Sequence, residues 1–536
     1  MIITRLLPAT EKVRNLPGGF SVMTYKLSMA RNESESCLLS LRSDDPLNNI
    51  TIDVSENEGF KVELFRERTV EIDRDALENP PYGKEPENYV AVRVNQPDPL
   101  VPFGEGECIG DGETLNILIR FTTLMAEAGE YTFTITLSSD ERKNITYTVT
   151  VKVWGFAYPE ERTVETSVGL SYEALARLYG YIDKNKHVAS PSYPESAKGT
   201  VVPEEAVPYV DELYVQYYDY MLDNRICSYY LPYDVLDDRA DKYMSDPRVT
   251  TFRVFDGYSD EDLIRVAEKF KDHPEWKKKA YFYPLDEPLN KNDFERLVTM
   301  VERLNRLCPG IRCLSPFFRD IPFLPDKDSL EVMLENLGHM VPKICCFNDD
   351  FIYRHPGLNR SALEPFQTRL ERARDEKGIK YWQYVCWEPG KPYVNLYLNE
   401  PGLDHRLLFW MQHKVGANGF LYWRSNFWAY VDPFEDMATV PMLNKHVFGD
   451  GSLIYNGNHI GIDGPCGSIR LEAVRDGLED CEMLNMADAV LGRDWVLGKI
   501  NTIVKSVTEY TDSVELFAAV RNEIGDALEQ ALNEMA

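Results

Sequence analysis

The sequence lacks the residue patterns of metal and disulfide sites. Its 10 cysteines form no C-x-x-C pair, and its 8 histidines show no H-E-x-x-H or comparable spacing. Several cysteines, among them Cys227, Cys345 and Cys386, lie inside apolar runs, which is typical of buried free thiols. We therefore expect no disulfide framework, no metal and no other cofactor.

Long hydrophobic runs are also missing. No stretch of about 18 apolar residues occurs, and the N-terminal "MIITRLLPATEKVRN" has neither a long apolar core nor a small-residue cleavage site. As it stands, the sequence predicts a cytoplasmic protein that does not insert into membranes. A secreted or periplasmic protein whose signal segment has been removed would look the same.

Basic residues are scarce relative to acidic ones. The chain carries 58 Lys and Arg against 87 Asp and Glu, a net charge of −29, which argues against nucleic acid or an anionic membrane as a partner. Aromatic residues make up 12% of the sequence, with 31 Tyr and 8 Trp. This content suits a protein that stacks rings on sugars, although an aromatic core explains it equally well.

Residues 1–158 read as β-structure. The clearest piece is "GEYTFTITLSSDERKNITYTVTVKVWGF", in which two alternating segments flank a polar turn. Several short strands separated by turn signals predict an N-terminal β-sandwich.

The pattern changes after residue 158, where short β-rich runs alternate with helical stretches. Eight runs are candidate strands: 165–171, 225–233, 250–256, 279–287, 311–318, 343–349, 381–389 and 418–426. Eight strand–helix repeats over roughly 260 residues predict a (β/α)₈ TIM-type barrel, here bounded as 159–490. A doubly wound open sheet is the alternative, but no G-x-G-x-x-G or P-loop follows any strand. Residues 491–536 read as a C-terminal helical tail packed on the barrel.

Two adjacent acids end the fourth predicted strand in "AYFYPLDEPLN", residues 280–290. Active sites of such barrels lie at the C-terminal ends of the strands. A surface turn would explain a single acid there. Because Asp286 and Glu287 are neighbours and aromatic residues follow other predicted strands, we favour a functional role for this pair over a surface turn.

The chemistry that fits this pair is glycosidic bond cleavage. Such cleavage needs a proton for the leaving oxygen and stabilisation of an oxocarbenium-like centre. Glu287, partly desolvated beside a charged neighbour, could hold its proton near neutrality, while Asp286 stays ionised. If the sugar has a 2-acetamido group, its carbonyl oxygen can attack the anomeric carbon while Asp286 orients the amide N–H. Tyr384 and Tyr393 are candidates to hold the amide oxygen.

The sequence resembles glycoside hydrolase family 123, the β-N-acetylgalactosaminidases, and related uncharacterised bacterial proteins. The matching segments are "LDEP" at 285–288, "PYVNLYLNEPGLDHRLLFW", "GANGFLYWRSNFW", "GDGSLIYNG" and "SIRLEAVRDGLEDCEML". The resemblance implies a β-sandwich followed by a (β/α)₈ barrel. It also implies retaining, substrate-assisted hydrolysis of a terminal β-linked N-acetylgalactosamine on a glycan or glycolipid, with Glu287 as acid/base and Asp286 as the acetamido-orienting residue.

Other polar and aromatic residues near the predicted strand ends are candidates to line a sugar pocket. With Tyr384 and Tyr393, they are Tyr233, Asn348, Trp387, Glu388, Asn395, Tyr422, Trp423 and Asn426. Packing at the barrel mouth explains Tyr422, Trp423 and Asn426 equally well, and Asn395 could cap a loop.

Two other functions are open. Glu388 ends strand seven, so Glu287 and Glu388 could form the acid/base and nucleophile of a two-glutamate retaining β-glycosidase. Such enzymes usually carry Asn before the acid/base, where this chain has Asp286. The third possibility is a non-catalytic glycan-binding protein.

Overall fold

The structure is a computed structural model of the chain. It describes residues 1–73, 93–124, 126–185, 193–324, 327–428, 432–440 and 444–535. Residues 74–92 and 125, which fall within the predicted sandwich, and Ala536 of the predicted tail lie outside the described residues. Within the described ranges, every helix is too short or too polar to span a bilayer.

The N-terminal part consists of two β-sheets that share one hydrophobic core. The first sheet contains, in spatial order, Ile2–Pro8, Ser34–Ser43, Thr114–Thr123, Phe60–Asp73, Arg93–Pro102, Pro465–Ser468 and Tyr455–Asn456. The second contains Thr24–Arg31, Ile145–Ala157, Gly129–Ser138, Leu47–Val54 and Glu107–Ile109. The alternating segments around "SSDERKN" form the antiparallel pair Gly129–Ser138 and Ile145–Ala157, as the sequence predicts. Because two strands near residue 460 extend the first sheet, this sheet is not confined to the first 158 residues. The predicted domain boundaries stay a prediction.

The following part is α/β, with short parallel strands. One sheet has three strands. Gly419–Tyr422 is the central strand, and Glu165–Val168 and Gln383–Val385 pair with its two edges. The other holds, in order, Phe252–Arg253, Ala280–Phe282, Arg312–Phe317, His339–Pro342 and Lys380–Tyr381. The strands therefore form two curled sheets among the described residues, and not one continuous eight-stranded ladder.

Two of the eight predicted strands are wrong. Residues 225–233 contain only an isolated bridge between Ser228 and Val168, because Arg225 has a positive φ of 64° and Pro232 has no N–H to donate. Residues 343–349 form a 3₁₀ turn, Ile344–Phe347, and the start of a short helix. The sixth strand is the preceding His339–Pro342, which ends at its proline.

Helices and short hairpins connect these strands. The α-helices are Tyr172–Leu178, Pro194–Ala197, Val207–Asp223, Asp241–Met244, Asp260–Lys269, Pro274–Lys279, Lys291–Leu307, Ser329–Asn336, Asp349–Ile352, Phe366–Lys377, Gly402–Lys414, Ile469–Leu491, Arg493–Ile500 and Val514–Met535. Short 3₁₀ helices are Asp238–Ala240, Ile344–Phe347, Arg360–Ala362 and Gly457–Ile460. Two-stranded ladders pair Pro322–Leu324 with Lys327–Asp328, Ala438–Val440 with Asn444–Phe448, and Val504–Ser506 with Glu509–Tyr510. Ser259 caps the helix Asp260–Lys269, because its side chain accepts a hydrogen bond from the Asp262 N–H.

A buried ionic network joins the N-terminal sheets to the α/β part and to the last helix. Arg406 donates to both oxygens of Asp480 at 2.7 and 2.9 Å and pairs with Glu35, while Arg521 pairs with Asp480 and Glu33. The carboxylates of Glu33, Glu35 and Asp480 come together closely enough to hold a metal ion. Because the two guanidinium groups occupy these carboxylates, the cluster is an ionic contact between parts of the chain.

The C-terminal helix Val514–Met535 packs on the strand Ile145–Ala157 through one glycine. A Cβ at Gly525 would overlap the indole of Trp154, whose Nε1–H donates to Asp526 at 2.7 Å.

We expect Gly525→Ala to lower the free energy of unfolding by about 1–3 kcal/mol through overpacking. Gly498→Ala, in an exposed helical position with no atom near the new Cβ, should be neutral or stabilise by about 0.5–1 kcal/mol. Urea unfolding of both variants tests this, and equal stabilities would contradict the packing.

Candidate active site

The acid pair follows the strand Ala280–Phe282, whose side chains alternate between two environments. Ala280 and Phe282 pack in the large core, whereas Tyr281 and Tyr283 join an interior cluster enclosed by the parallel strands. This cluster also contains Tyr384 and, partly buried, Trp423. The strand direction therefore brings the segment with the two acids to the C-terminal edge of the sheet.

Glu287 has an unusual backbone and two polar partners. Its φ is +35°, a region that non-glycine residues seldom occupy. Lys343 Nζ lies 2.9 Å from Oε1, and the hydroxyl of Tyr384 donates to the same oxygen. Its side chain is 29% exposed, so solvent can reach it. Strained residues held by their surroundings are common at functional sites.

Lys343 brings a positive charge to this site. It directly follows the strand His339–Pro342, and its N–H donates to the Phe317 carbonyl at 2.9 Å. The side chain is 2% exposed, and Nζ lies 4.0 Å from the ring centroid of Phe318 and 5.1 Å from that of Tyr384. Burial alone would lower the pKa of Lys343, but the thiol of Cys386 and the carboxylate of Glu287 raise it above its ordinary value.

Asp286 has a different environment from its neighbour. Its Oδ1 accepts a hydrogen bond from the Tyr283 hydroxyl at 2.7 Å. The residue is exposed, yet enough protein surrounds the carboxyl that lost hydration raises its pKa, and the charge of Glu287 raises it further. The bond from Tyr283 partly opposes this rise. The two acids therefore have different hydrogen-bond partners, and the loss of hydration raises the pKa of Asp286.

A buried acid fixes Tyr422, the last residue of the strand Gly419–Tyr422, and the next residue, Trp423. Asp450 accepts from the Tyr422 hydroxyl at 2.9 Å and from the Trp423 indole at 3.1 Å. Burial raises the pKa of Asp450 to about 6, although these two bonds lower it. Gly451 leaves no room for a Cβ beside Trp423. Trp423 is thereby held as a wall of the interior, whereas the Tyr422 hydroxyl is engaged with the protein.

Asn395 fixes the loop that carries Trp387 and Glu388. Its Nδ2 donates to the carbonyls of Cys386 and Pro389, each at 2.8 Å, and its Oδ1 accepts from the Leu396 N–H at 2.7 Å. Asn395 is fully buried, and these bonds support the loop, so a role in sugar binding stays a prediction. Trp387 is 42% exposed, as a residue that stacks on a sugar would be.

Four further candidates bond to other parts of the protein. Asn348 donates to the Tyr393 hydroxyl at 3.1 Å and caps the helix Asp349–Ile352. Asn426 is buried and makes two hydrogen bonds to the backbone of Ser171. Tyr233 lies beside Tyr243 under the side chains of Arg239 and Lys242. These contacts favour structural roles, and sugar binding by these residues stays a prediction.

Two residues of the site, Lys343 and Asp450, were not predicted from the sequence. Lys343 was not recognised because the sixth strand was predicted at 343–349, which puts Lys343 at the start of the strand, whereas the observed strand ends at Pro342. Placing the strand end at Pro342 would have put Lys343 at the mouth. Asp450 comes from a loop outside the strand pattern, so no sequence signal pointed to it.

The role of Asn395 can be tested without any assumption about activity. We expect Asn395→Ala to lower the free energy of unfolding by about 2 kcal/mol, because buried carbonyls lose their donor. Amide hydrogen exchange should become faster in residues 386–397. The matched variant Asn426→Ala, which removes equally buried bonds to Ser171, should leave exchange in this loop unchanged. Equal exchange in the two variants would contradict the assigned role.

Comparisons with known proteins agree with this architecture. The model of the glycoside hydrolase 123 catalytic domain matches residues 347–487, a range that includes Trp387 and Trp423 but not the acid pair. A family 123 glycoside hydrolase from Clostridium perfringens, solved in a study of glycolipid glycan hydrolysis, has a similar structure. It has a TM-score of 0.63 at 13% identity, covering 100% of this chain and 98% of that one.

Two further solved structures have lower TM-scores. A family 39 glycoside hydrolase from Bacteroides cellulosilyticus has a TM-score of 0.29 at 11% identity, covering 84% of this chain and 81% of its own. A GH5 xyloglucanase from Bacteroides ovatus has a TM-score of 0.24 at 9% identity, covering 85% of this chain and 98% of its own. No curated protein sequence matches the chain. The family match and the Clostridium perfringens structure together confirm the predicted resemblance to glycoside hydrolase family 123.

Proposed function

We propose that this protein is a retaining glycoside hydrolase that removes terminal β-linked N-acetylgalactosamine, or a related 2-acetamido sugar, from a glycan or glycolipid. The observation that carries the proposal is the pair of adjacent acids with separate partners: Asp286 with Tyr283, and Glu287 with Tyr384 and Lys343. The resemblance to family 123 supports a glycosidase that acts on glycans. The sugar and the mechanism are part of the proposal.

The fold is part of the same proposal, because a barrel places every strand end around one site. Backbone hydrogen bonds link the two parallel sheets: Tyr229 N–H donates to Val168, Arg253 N–H to Tyr229, and Trp382 N–H to Met340, at 2.6 to 3.0 Å. We infer that the strands form a (β/α)₈ barrel in which residues 227–229 complete the ring. The interior cluster would then lie below the bound sugar.

In the proposed mechanism, Glu287 gives its proton to the glycosidic oxygen as the bond to the anomeric carbon breaks. The acetamido carbonyl oxygen attacks that carbon and forms an oxazolinium ion. Asp286 accepts a hydrogen bond from the amide N–H through Oδ2, since Oδ1 already accepts from Tyr283. The Glu287 carboxylate then takes a proton from the water that opens the ring, so configuration is retained.

The environments of the two acids suit these roles. A raised pKa makes the Asp286 carboxylate a stronger acceptor for an amide N–H that gains positive charge. The Lys343 ammonium stabilises the Glu287 carboxylate that remains after proton donation. The sequence suggested that Tyr384 holds the amide oxygen of the substrate. Because its hydroxyl donates to Glu287, we propose instead that Tyr384 positions the acid/base.

Chromogenic β-GalNAc, β-GlcNAc and β-galactoside substrates test this function. We expect the wild type to hydrolyse the β-GalNAc substrate best and to leave the β-galactoside, which lacks an acetamido group, intact. Glu287→Gln and Asp286→Asn should each lower kcat/KM by about 10²–10⁴-fold, because each removes a group that acts on the reacting atoms.

Asp234→Asn is the matched control, because the Asp234 carboxylate accepts hydrogen bonds from the Tyr258 hydroxyl and the Leu236 N–H. Its activity should be close to that of the wild type. Efficient β-galactoside hydrolysis, together with covalent labelling of Glu388 by a 2-fluoro sugar, would instead establish the two-glutamate mechanism. Sugar binding without turnover would establish a binding protein.

A further inference from the structure

We propose that Lys343 is a positioning residue for Glu287: it fixes the carboxylate together with Tyr384, and its charge sets the pH range over which Glu287 holds a proton. The inference rests on the proposed function, in which Glu287 is the acid/base. It adds a residue and a form of control that neither the sequence nor the family match assigns.

The two partners of Glu287 bind the same oxygen. Lys343 Nζ lies 2.9 Å from Oε1, and the Tyr384 hydroxyl also donates to Oε1. Among the described residues, no side chain bonds to Oε2, which is therefore the oxygen available to exchange a proton with the substrate. The contact thus selects which oxygen of the carboxyl acts.

The backbone holds both partners in register. Residues 343 and 384 form a parallel β-bridge, so their side chains start from neighbouring points on the sheet. The Lys343 N–H donates to Phe317, and its carbonyl accepts from the Cys346 N–H at 2.8 Å. Glu287 meets them through the left-handed conformation of its own residue, with φ at +35°. Because all three positions are fixed by backbone, the contact is built into the fold.

The charge of Lys343 has little alternative compensation. Its side chain is 2% exposed and packs on the rings of Phe318 and Tyr384. A buried ammonium is costly unless an anion lies beside it, and Glu287 is the carboxylate that contacts it among the described residues. Each charge therefore stabilises the other, and removing one leaves the other poorly compensated.

Several other groups face this ion pair and contribute to its titration. Asp286 lies on the segment of Glu287, with Arg253 acting on it from the neighbouring strand. Cys345 and Cys386 act on Lys343, and the charge of Lys343 also acts on Asp450. Lys343 is the cation in contact with Glu287, so its removal should have the largest effect on the acid/base.

The test is the pH profile of kcat/KM for the wild type, Lys343→Met and Lys343→Arg. The alkaline limb reports loss of the proton from the acid. Without the ammonium, Glu287 keeps its proton to higher pH. We therefore expect the alkaline limb of Lys343→Met to shift to higher pH by about one unit. The activity at neutral pH should fall at least about tenfold because Oε1 loses a partner. Lys343→Arg keeps the positive charge, so its alkaline limb should lie at the same pH as that of the wild type.

Lys279→Met is the matched control. This half-buried lysine directly precedes the strand Ala280–Phe282, which leads to the acid pair, but it donates to the carbonyls of Met244 and Asp246. Its pH profile should match the wild type. A Lys343→Met profile with unchanged limbs in a folded protein would overturn the proposal. If Lys343→Met does not fold, Lys343→Gln and Lys343→Arg provide the comparison of neutral and charged side chains.

A second measurement separates this inference from the proposed function. Carbon-13 carboxyl NMR can follow the titration of Glu287, assigned with Glu287→Gln, without any substrate. A higher midpoint in Lys343→Met than in the wild type would support the coupling even if no sugar is hydrolysed, in which case the proposed function alone would fail. An equal midpoint would overturn the coupling whatever the activity.

Discussion

The contact of Glu287 with Lys343 and Tyr384 is the interaction on which the candidate site depends. It places a partly exposed carboxylate against a buried cation and a phenol, and it holds a non-glycine residue at positive φ. A carboxyl group free in solvent would have no fixed direction. The surrounding strands supply one, because Lys343 directly follows the strand His339–Pro342 and Tyr384 lies within the strand Gln383–Val385.

The rest of the structure keeps these strand ends in place. The ionic contacts of Arg406 with Glu35 and of Arg521 with Glu33 connect the helices that carry these arginines to the N-terminal part. Breaking such a buried pair by removing one partner typically costs about 3–5 kcal/mol, because the remaining charge stays buried. The N-terminal sheets thus support the α/β part through charge as well as through apolar packing.

Much of the fold and part of the site could be predicted from the sequence. Alternating patterns identified the strands around 129–157. The acid pair was identifiable because two acids directly follow an aromatic strand. Lys343 was missed because the apolar residues of 343–347 look like a strand but form a 3₁₀ turn after Pro342. The bonds of Asn395 and Asn426 to distant backbone depend on tertiary contacts that no local pattern encodes.

The most direct test of the account is the dependence of turnover on the substrate's own acetamido group. A series of aryl β-GalNAc substrates with none, one, two or three fluorine atoms on the acetyl methyl changes the nucleophilicity of the carbonyl oxygen with little change in size. If that oxygen attacks the anomeric carbon beside Asp286 and Glu287, kcat should fall steeply with each fluorine. A kcat that stays constant across the series would contradict participation of the acetamido group.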